Sequence, residues 1–200
     1  MGIKYLYHMS LLLFLTLTFV APAMAGDPTN KIKQTTDKII AILNDPVLKI
    51  PDKAAERRRM IHEEVDGLFD WEEFSRRALA RHWRKRTDKE KKEFVPLFGK
   101  LVERTYMDKV ENYSGERVLY TGEKIEGNYG VVNVKVMTNK NEEIDVDYRL
   151  KKRDDEWVVY DVSIAGVSLV NNYRVQFNNI IIRSSYKELM KRLREKVAKE

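Results

Sequence analysis

The chain has 200 residues and a mass of 23.6 kDa, enough for one domain or one domain with a helical annex. Hydrophobic residues make up 43% and charged residues 34%, a mixture that supports a packed core and excludes wholesale disorder. The lack of cysteine excludes thiol nucleophiles, disulfides and cysteine-ligated metal sites, and the net charge of +6 favours anionic partners without naming them.

The first segment reads as an export leader. Lys4 opens a short basic region, residues 11–20 are apolar apart from Thr16 and Thr18, and Ala23-Met24-Ala25 places small residues where a signal peptidase cuts. Cleavage after Ala25 is expected, giving a signal peptide over 1–25 and one mature domain over 26–200. Lys4 is the leader's only formal charge, so 36 basic and 31 acidic residues remain, a net +5. Export makes nucleic acid a poor partner and favours membrane phosphates or acidic protein faces.

Residues 30–44 read as a helix, with Ile32, Ile39, Ile40 and Leu43 on one stripe. Asp45-Pro46 ends it, because the residue before proline is pushed out of the helical region. A highly charged second helix is expected over 51–65, with Ala54, Met60, Ile61 and Val65 on its apolar face. Asp70 and Glu73 read as a reciprocal capping box, and Phe69 and Phe74 as its hydrophobic staple. Thr87 with Glu90 starts another helix, along which Phe94, Phe98, Leu101 and either Thr105 or Tyr106 recur. Pro96 falls inside that pattern, where it bends a helix or delays its regular start.

From Arg117 the period changes to two. Val132, Val134 and Val136 alternate with Asn133 and Lys135, and Ile144, Val146, Tyr148 and Leu150 alternate with charged residues. Strands are expected near 117–125, 132–136, 144–150 and 157–164, joined as a meander. Two helices follow: Ser168 caps one carrying Val170, Tyr173, Phe177, Ile180 and Ile181, and Ser185 with Glu188 starts another carrying Leu189, Leu193 and Val197. The chain is thus helical over 29–113, mainly strands over 117–164 and helical over 169–198. The fold class is α+β, an antiparallel sheet of about four strands with one face covered by helices.

No catalytic constellation stands out. His62 and His82, the two histidines of the mature chain, cannot form a three-histidine metal site. Gly166-Val167-Ser168 lacks the final glycine of a nucleophile elbow, so Ser168 reads as a cap. Asp161 beside Tyr160 is the one carboxylate worth testing for proton transfer, since burial would raise its pKa. Alternation leaves open which face of the strand it occupies. The aromatic supply suits either a filled core or a hollow one, and pattern alone does not separate them.

Residues 157–177 (WVVYDVSIAGVSLVNNYRVQF), Phe69-Asp70-Trp71 through Leu79 with Trp83, and the series Phe94, Phe98, Leu101, Thr105-Tyr106 and Tyr113 carry a family resemblance. With them, residues 31–193 resemble the MlaC family, also called the toluene-tolerance Ttg2D family. The chain departs from that family's pattern at Ala80, where many members have glycine, at Ala165, where Glu is common, and at Glu90, where Gln is common. The resemblance implies a periplasmic, monomeric, non-enzymatic phospholipid carrier of Gram-negative bacteria, with no cofactor, that supports outer-membrane lipid asymmetry. It implies a curved, NTF2-like sheet enclosing an apolar cavity, a phosphate headgroup near solvent, and lipid exchange with two assemblies. One is an inner-membrane ABC transporter with MCE-domain subunits; the other is an outer-membrane lipoprotein and channel complex.

On that reading the expected cavity lining is Phe74, Phe94, Phe98, Leu101, Tyr106, Val134, Val146, Tyr148, Trp157, Val159, Tyr173 and Phe177. Arg174 is the expected mouth or headgroup contact. Lys187, Lys191, Arg192, Arg194 and Lys196 are the expected docking face. Two other readings compete: an isomerase or hydrolase, which needs converging polar groups at the pocket floor, and an envelope adaptor with a filled core.

Overall fold

The computed structural model describes residues 28–198; the expected leader lies outside them. Its helices are α1 (Pro28–Asn44), α2 (Ala54–Leu68), α3 (Trp71–Leu79), α4 (Asp88–Glu111), α5 (Leu169–Arg183) and α6 (Tyr186–Ala198). The strands β1 (Arg117–Glu126), β2 (Tyr129–Met137), β3 (Glu143–Arg153), β4 (Glu156–Ile164) and β5 (Val167–Ser168) form one antiparallel sheet in the order 1-2-3-4-5. The four expected strands are present. The two-residue β5 is additional, too short to leave an alternating pattern.

The sheet's alternation follows from its one-sided covering. Val132, Val134, Val146 and Leu150 are buried beneath the helices. On the opposite face Asn133 donates to the directly opposed Asp147 at 2.6 Å, and Lys135 reaches diagonally from β2 to Glu143 on β3 at 2.7 Å. Register shifts interrupt β1–β2 at Thr121 and β3–β4 at Tyr160. The second shift changes the parity of β4. Asp161 is thereby buried at the start of α5, where it accepts from Ser168 Oγ at 2.7 Å, Val170 N at 3.1 Å and Arg149 at 3.3 Å.

The helix starts are made largely by the expected residues. Thr87 and Glu90 form both halves of a capping box, and Ser168 accepts from Asn171 N. Asp70 makes only half of one. It accepts from Glu73 N, but its own N–H donates to Val159 O across the edge of β4. The Glu73 carboxylate is engaged by Arg76, Arg77 and Lys151 instead. Ser185 likewise accepts from Glu188 N while the Glu188 carboxylate turns to Arg192. Pro96 neither ends nor delays α4. Both it and Lys92, whose carbonyl loses its helical donor, lie on the exposed side of the helix, so the proline leaves no polar group stranded in the core.

Most of the interior is solid. Phe98 packs against Phe74, Phe94, Tyr173 and Phe177 with ring centroids 4.9–5.5 Å apart, locking α3, α4 and α5 together over the sheet. A second, smaller cluster joins Leu43, Ile61 and Met107 from α1, α2 and α4. A domain of this size normally has one contiguous core. The division marks where the packing opens.

Candidate functional site

Between the two clusters lies a chamber of about 390 Å³. Its floor is the covered face of the sheet. Val136, Ile144, Val146, Tyr148, Val162 and Ile164 reach it from three strands, and the pairs Val136–Ile144, Val146–Ile164 and Tyr148–Val162 are directly opposed. The roof is α1 and α2, through Ile39, Ile61, Val65 and Leu68, and one wall is the C-terminal half of α4. An adjoining space of about 350 Å³ shares Thr36, Ile39, Lys109, Val110, Val136, Ile144 and Tyr148 with the chamber. It extends toward the C-terminal ends of α1 and α4 at Leu43 and Tyr113.

The chamber stays unfilled because α2 has little to fill it with. Of its fifteen residues only Ile61 and Leu68 are buried, and most of the rest are charged. Polar contacts at its margins hold it instead. Arg57 and Arg58 both pair with Glu111 on α4, at 3.0 and 2.7 Å. His62 Nδ1 lies 2.8 Å from Glu103, Lys38 on α1 pairs with Glu64 at 3.1 Å, and Trp71 Nε1 donates to Asp66 at 2.7 Å. These contacts fix α2 at its edges without drawing its apolar face onto the sheet.

The chamber surface carries little charge. Tyr148 is only half-buried by solvent-accessible area. Burial nevertheless, with the neighbouring Tyr120, pushes its phenol up to about 12. The ring borders both the chamber and its adjoining space, and the phenol stays neutral. Burial also raises Tyr106. Glu103, on the wall, is paired with His62. Such a surface solvates hydrocarbon, and its floor of valine, isoleucine and tyrosine side chains does not bring together the converging polar groups that an isomerase or hydrolase would need there.

Three of the twelve expected lining residues, Tyr106, Val146 and Tyr148, border this space. Phe74, Phe94, Phe98, Leu101, Val134, Trp157, Val159, Tyr173 and Phe177 do not; they are buried in the solid core. Periodicity reports which residues face inward, and large aromatics facing inward fill space rather than leave it. The lining that sequence reasoning missed comes mainly from α1, α2 and the end of α4. Its signal was the poverty of large apolar residues in α2 opposite a long apolar sheet face.

Arg174 borders neither the chamber nor its adjoining space. Its Nε donates to Arg77 O at 3.0 Å, joining α5 to the end of α3. Asp161 is capping, not catalytic: its partners are the Ser168 hydroxyl, the Val170 N–H and Arg149. On α6, Lys191 lies near Glu195, Arg192 pairs with Glu188, and Arg194 pairs with Glu93 of α4. Lys187 and Lys196 have no carboxylate within ion-pair distance among the described residues.

Residues 33–195 match the family model for MlaC proteins. The chain belongs to the MlaC family. It is 24% identical over 172 residues to the intermembrane phospholipid transport system binding protein MlaC of Haemophilus influenzae, covering 80% of each chain. Its fold is similar to that of a phospholipid-binding protein from Ralstonia solanacearum solved in complex with a phospholipid. The TM-score is 0.77 and the identity 26%, over 86% of this chain and 98% of the other. Membership places the chain among non-catalytic carriers. Among the described residues no cluster of His, Asp and Glu could hold a metal ion, and no helix is long and apolar enough to cross a membrane.

Proposed function

We propose that this protein is a periplasmic carrier that takes a glycerophospholipid out of one membrane, shields its acyl chains in the chamber, and delivers it to another. Burying one methylene is worth about 0.8 kcal/mol, so a chain of about 14 methylenes gains roughly 11 kcal/mol on leaving water. Without a carrier that term is the barrier to crossing an aqueous compartment. An apolar chamber removes most of it, and binding by packing alone leaves chain length and unsaturation weakly discriminated.

The observation that carries this reading is the unfilled apolar space between the two core clusters, roofed by α1 and α2. The likeness to a phospholipid-bound protein supports it. Transfer of a fluorescent phospholipid between donor and acceptor vesicles tests it. The protein should accelerate transfer in proportion to its concentration, and a rate equal to the protein-free control would contradict the proposal.

The partners we propose are an inner-membrane ABC transporter with MCE-domain subunits and an outer-membrane lipoprotein and channel complex. Exchange with both would make the protein the soluble link in a system that maintains outer-membrane lipid asymmetry. Exposed cations on α6, chiefly Lys187 and Lys196, provide long-range attraction to acidic surfaces on either side.

A further inference from the structure

Lys109 is the cationic side chain common to the chamber and its adjoining space, and among the described residues no other lysine or arginine borders either one. It stands on the last turns of α4, exposed, at the end where the adjoining space leads outward. No carboxylate of the described residues lies within ion-pair distance of it. Its ammonium instead rests 5.8 Å from the Tyr106 ring centroid. The two acids on the same walls are already engaged. Glu103 is paired with His62 at 2.8 Å, and Glu116 accepts from Ser114 N and Oγ at 2.8 and 3.0 Å. Among the described residues the rim therefore presents one uncompensated positive charge beside an apolar space, with Thr36 on the same border.

We infer that Lys109 holds the phosphodiester of the bound lipid and so fixes its orientation, with the headgroup at the C-terminal ends of α1 and α4 and the acyl chains running toward Leu169 and Trp71. The inference rests on the carrier reading above. An ammonium on a four-carbon stem can follow a phosphate at a partly open rim, and a charge-assisted hydrogen bond to it is stronger than one between neutral groups. The chain-binding space and the headgroup contact are then separate elements. The first fixes that a lipid binds; the second fixes which end faces out.

The test compares a phosphatidylglycerol with a diacylglycerol of the same chains, which lacks the phosphate. The delipidated full-length protein should bind the phospholipid about tenfold more tightly than the diacylglycerol. Lys109→Gln should remove that preference while leaving diacylglycerol binding unchanged, and Lys109→Arg should restore it. Equal binding of both lipids by the wild type, or a preference that survives Lys109→Gln, would overturn the inference and leave the carrier reading standing. Binding of neither lipid would overturn both. An excess of inorganic phosphate should leave the preference intact; its loss would assign the ammonium to the free ion and overturn the headgroup assignment.

Discussion

Arg174 Nε donates to the backbone carbonyl of Arg77 across 3.0 Å, so α5 supplies a donor to a carbonyl that the end of α3 leaves without a helical partner. Arg77 is itself fixed, by Glu73 at 2.6 Å and by stacking over the Tyr160 ring at 4.1 Å. The contact ties two helices of the solid core and lies away from the chamber. Arg174→Ala should lower stability by about 1–2 kcal/mol, read from denaturant unfolding. It should leave the lipid content of the purified protein unchanged. Loss of lipid at unchanged stability would return Arg174 to the mouth.

α3 ends on Ala80, held at φ 46° and ψ −122°, a region that glycine occupies freely and an L side chain does not. The next residues turn directly into the short 3₁₀ segment Ala80–Lys85, so the backbone there has little room to relax. Ala80→Gly should therefore stabilise the protein by about 1 kcal/mol, although glycine usually costs unfolded-state entropy. Urea denaturation checks it. A destabilisation would mean that the methyl group makes contacts worth more than the strain.

Glu73 is buried, which alone would raise its pKa, yet hydrogen bonds from Arg76 and Arg77 and the charge of Lys151 hold it at about 2. The folded value lies below the ordinary value of 4.5, so the stability Glu73 contributes is complete above about pH 4.5. It is lost as pH falls toward 2, and amounts to at most about 3 kcal/mol. Asp70, lowered by the Glu73 N–H and by Lys151 against its own burial, titrates in the same sense. Glu73→Gln should flatten the loss of stability between pH 4.5 and pH 2, measured by unfolding at a series of pH values. An unchanged slope would place the acid sensitivity elsewhere.

The sheet and the helix starts were legible because each rests on a local rule. Alternation at Val132, Val134 and Val136 needs only one covered face, and Thr87 with Glu90 needs only neighbouring backbone. The boxes at Asp70 and Ser185 stay half-formed because the acid has better partners: Arg76 and Arg77 one turn along the same helix, with Lys151 from β3, take Glu73, and Arg192 one turn along α6 takes Glu188. The chamber was less legible, because emptiness is a property of volumes facing one another. Phe94, Phe98 and Phe177 share the inward pattern of Val146 and Tyr148. Only the partner surface separates them, dense aromatic rings in one case and a sparsely apolar α2 in the other.

That difference is measurable. Val146 borders the chamber, so Val146→Phe should be accommodated with stability changed by less than about 1 kcal/mol, while lipid content falls because the ring occupies chain-binding volume. Phe98→Ala, in the solid core, should cost about 3–5 kcal/mol. Thermal unfolding and lipid extraction on the same samples separate the two effects. Strong destabilisation by Val146→Phe would mean that the chamber is closed in solution.

On α6, Lys187 and Lys196 have no carboxylate within ion-pair distance among the described residues, whereas Arg194 is tied to Glu93. Changing Lys187 and Lys196 together to Gln should preserve bound lipid and slow transfer to anionic acceptor vesicles at low ionic strength. The difference should vanish at high salt as the charges are screened. Identical rates across the salt series would remove this helix from docking.

The carrier account stands most directly on what occupies the chamber. Mass spectrometry of an organic extract of the protein, purified from an envelope fraction without detergent, should find glycerophospholipid at near-stoichiometric amounts, with mixed chains and a much smaller amount from Val146→Phe. An extract free of lipid, from a protein that also takes up none from vesicles, would contradict the account.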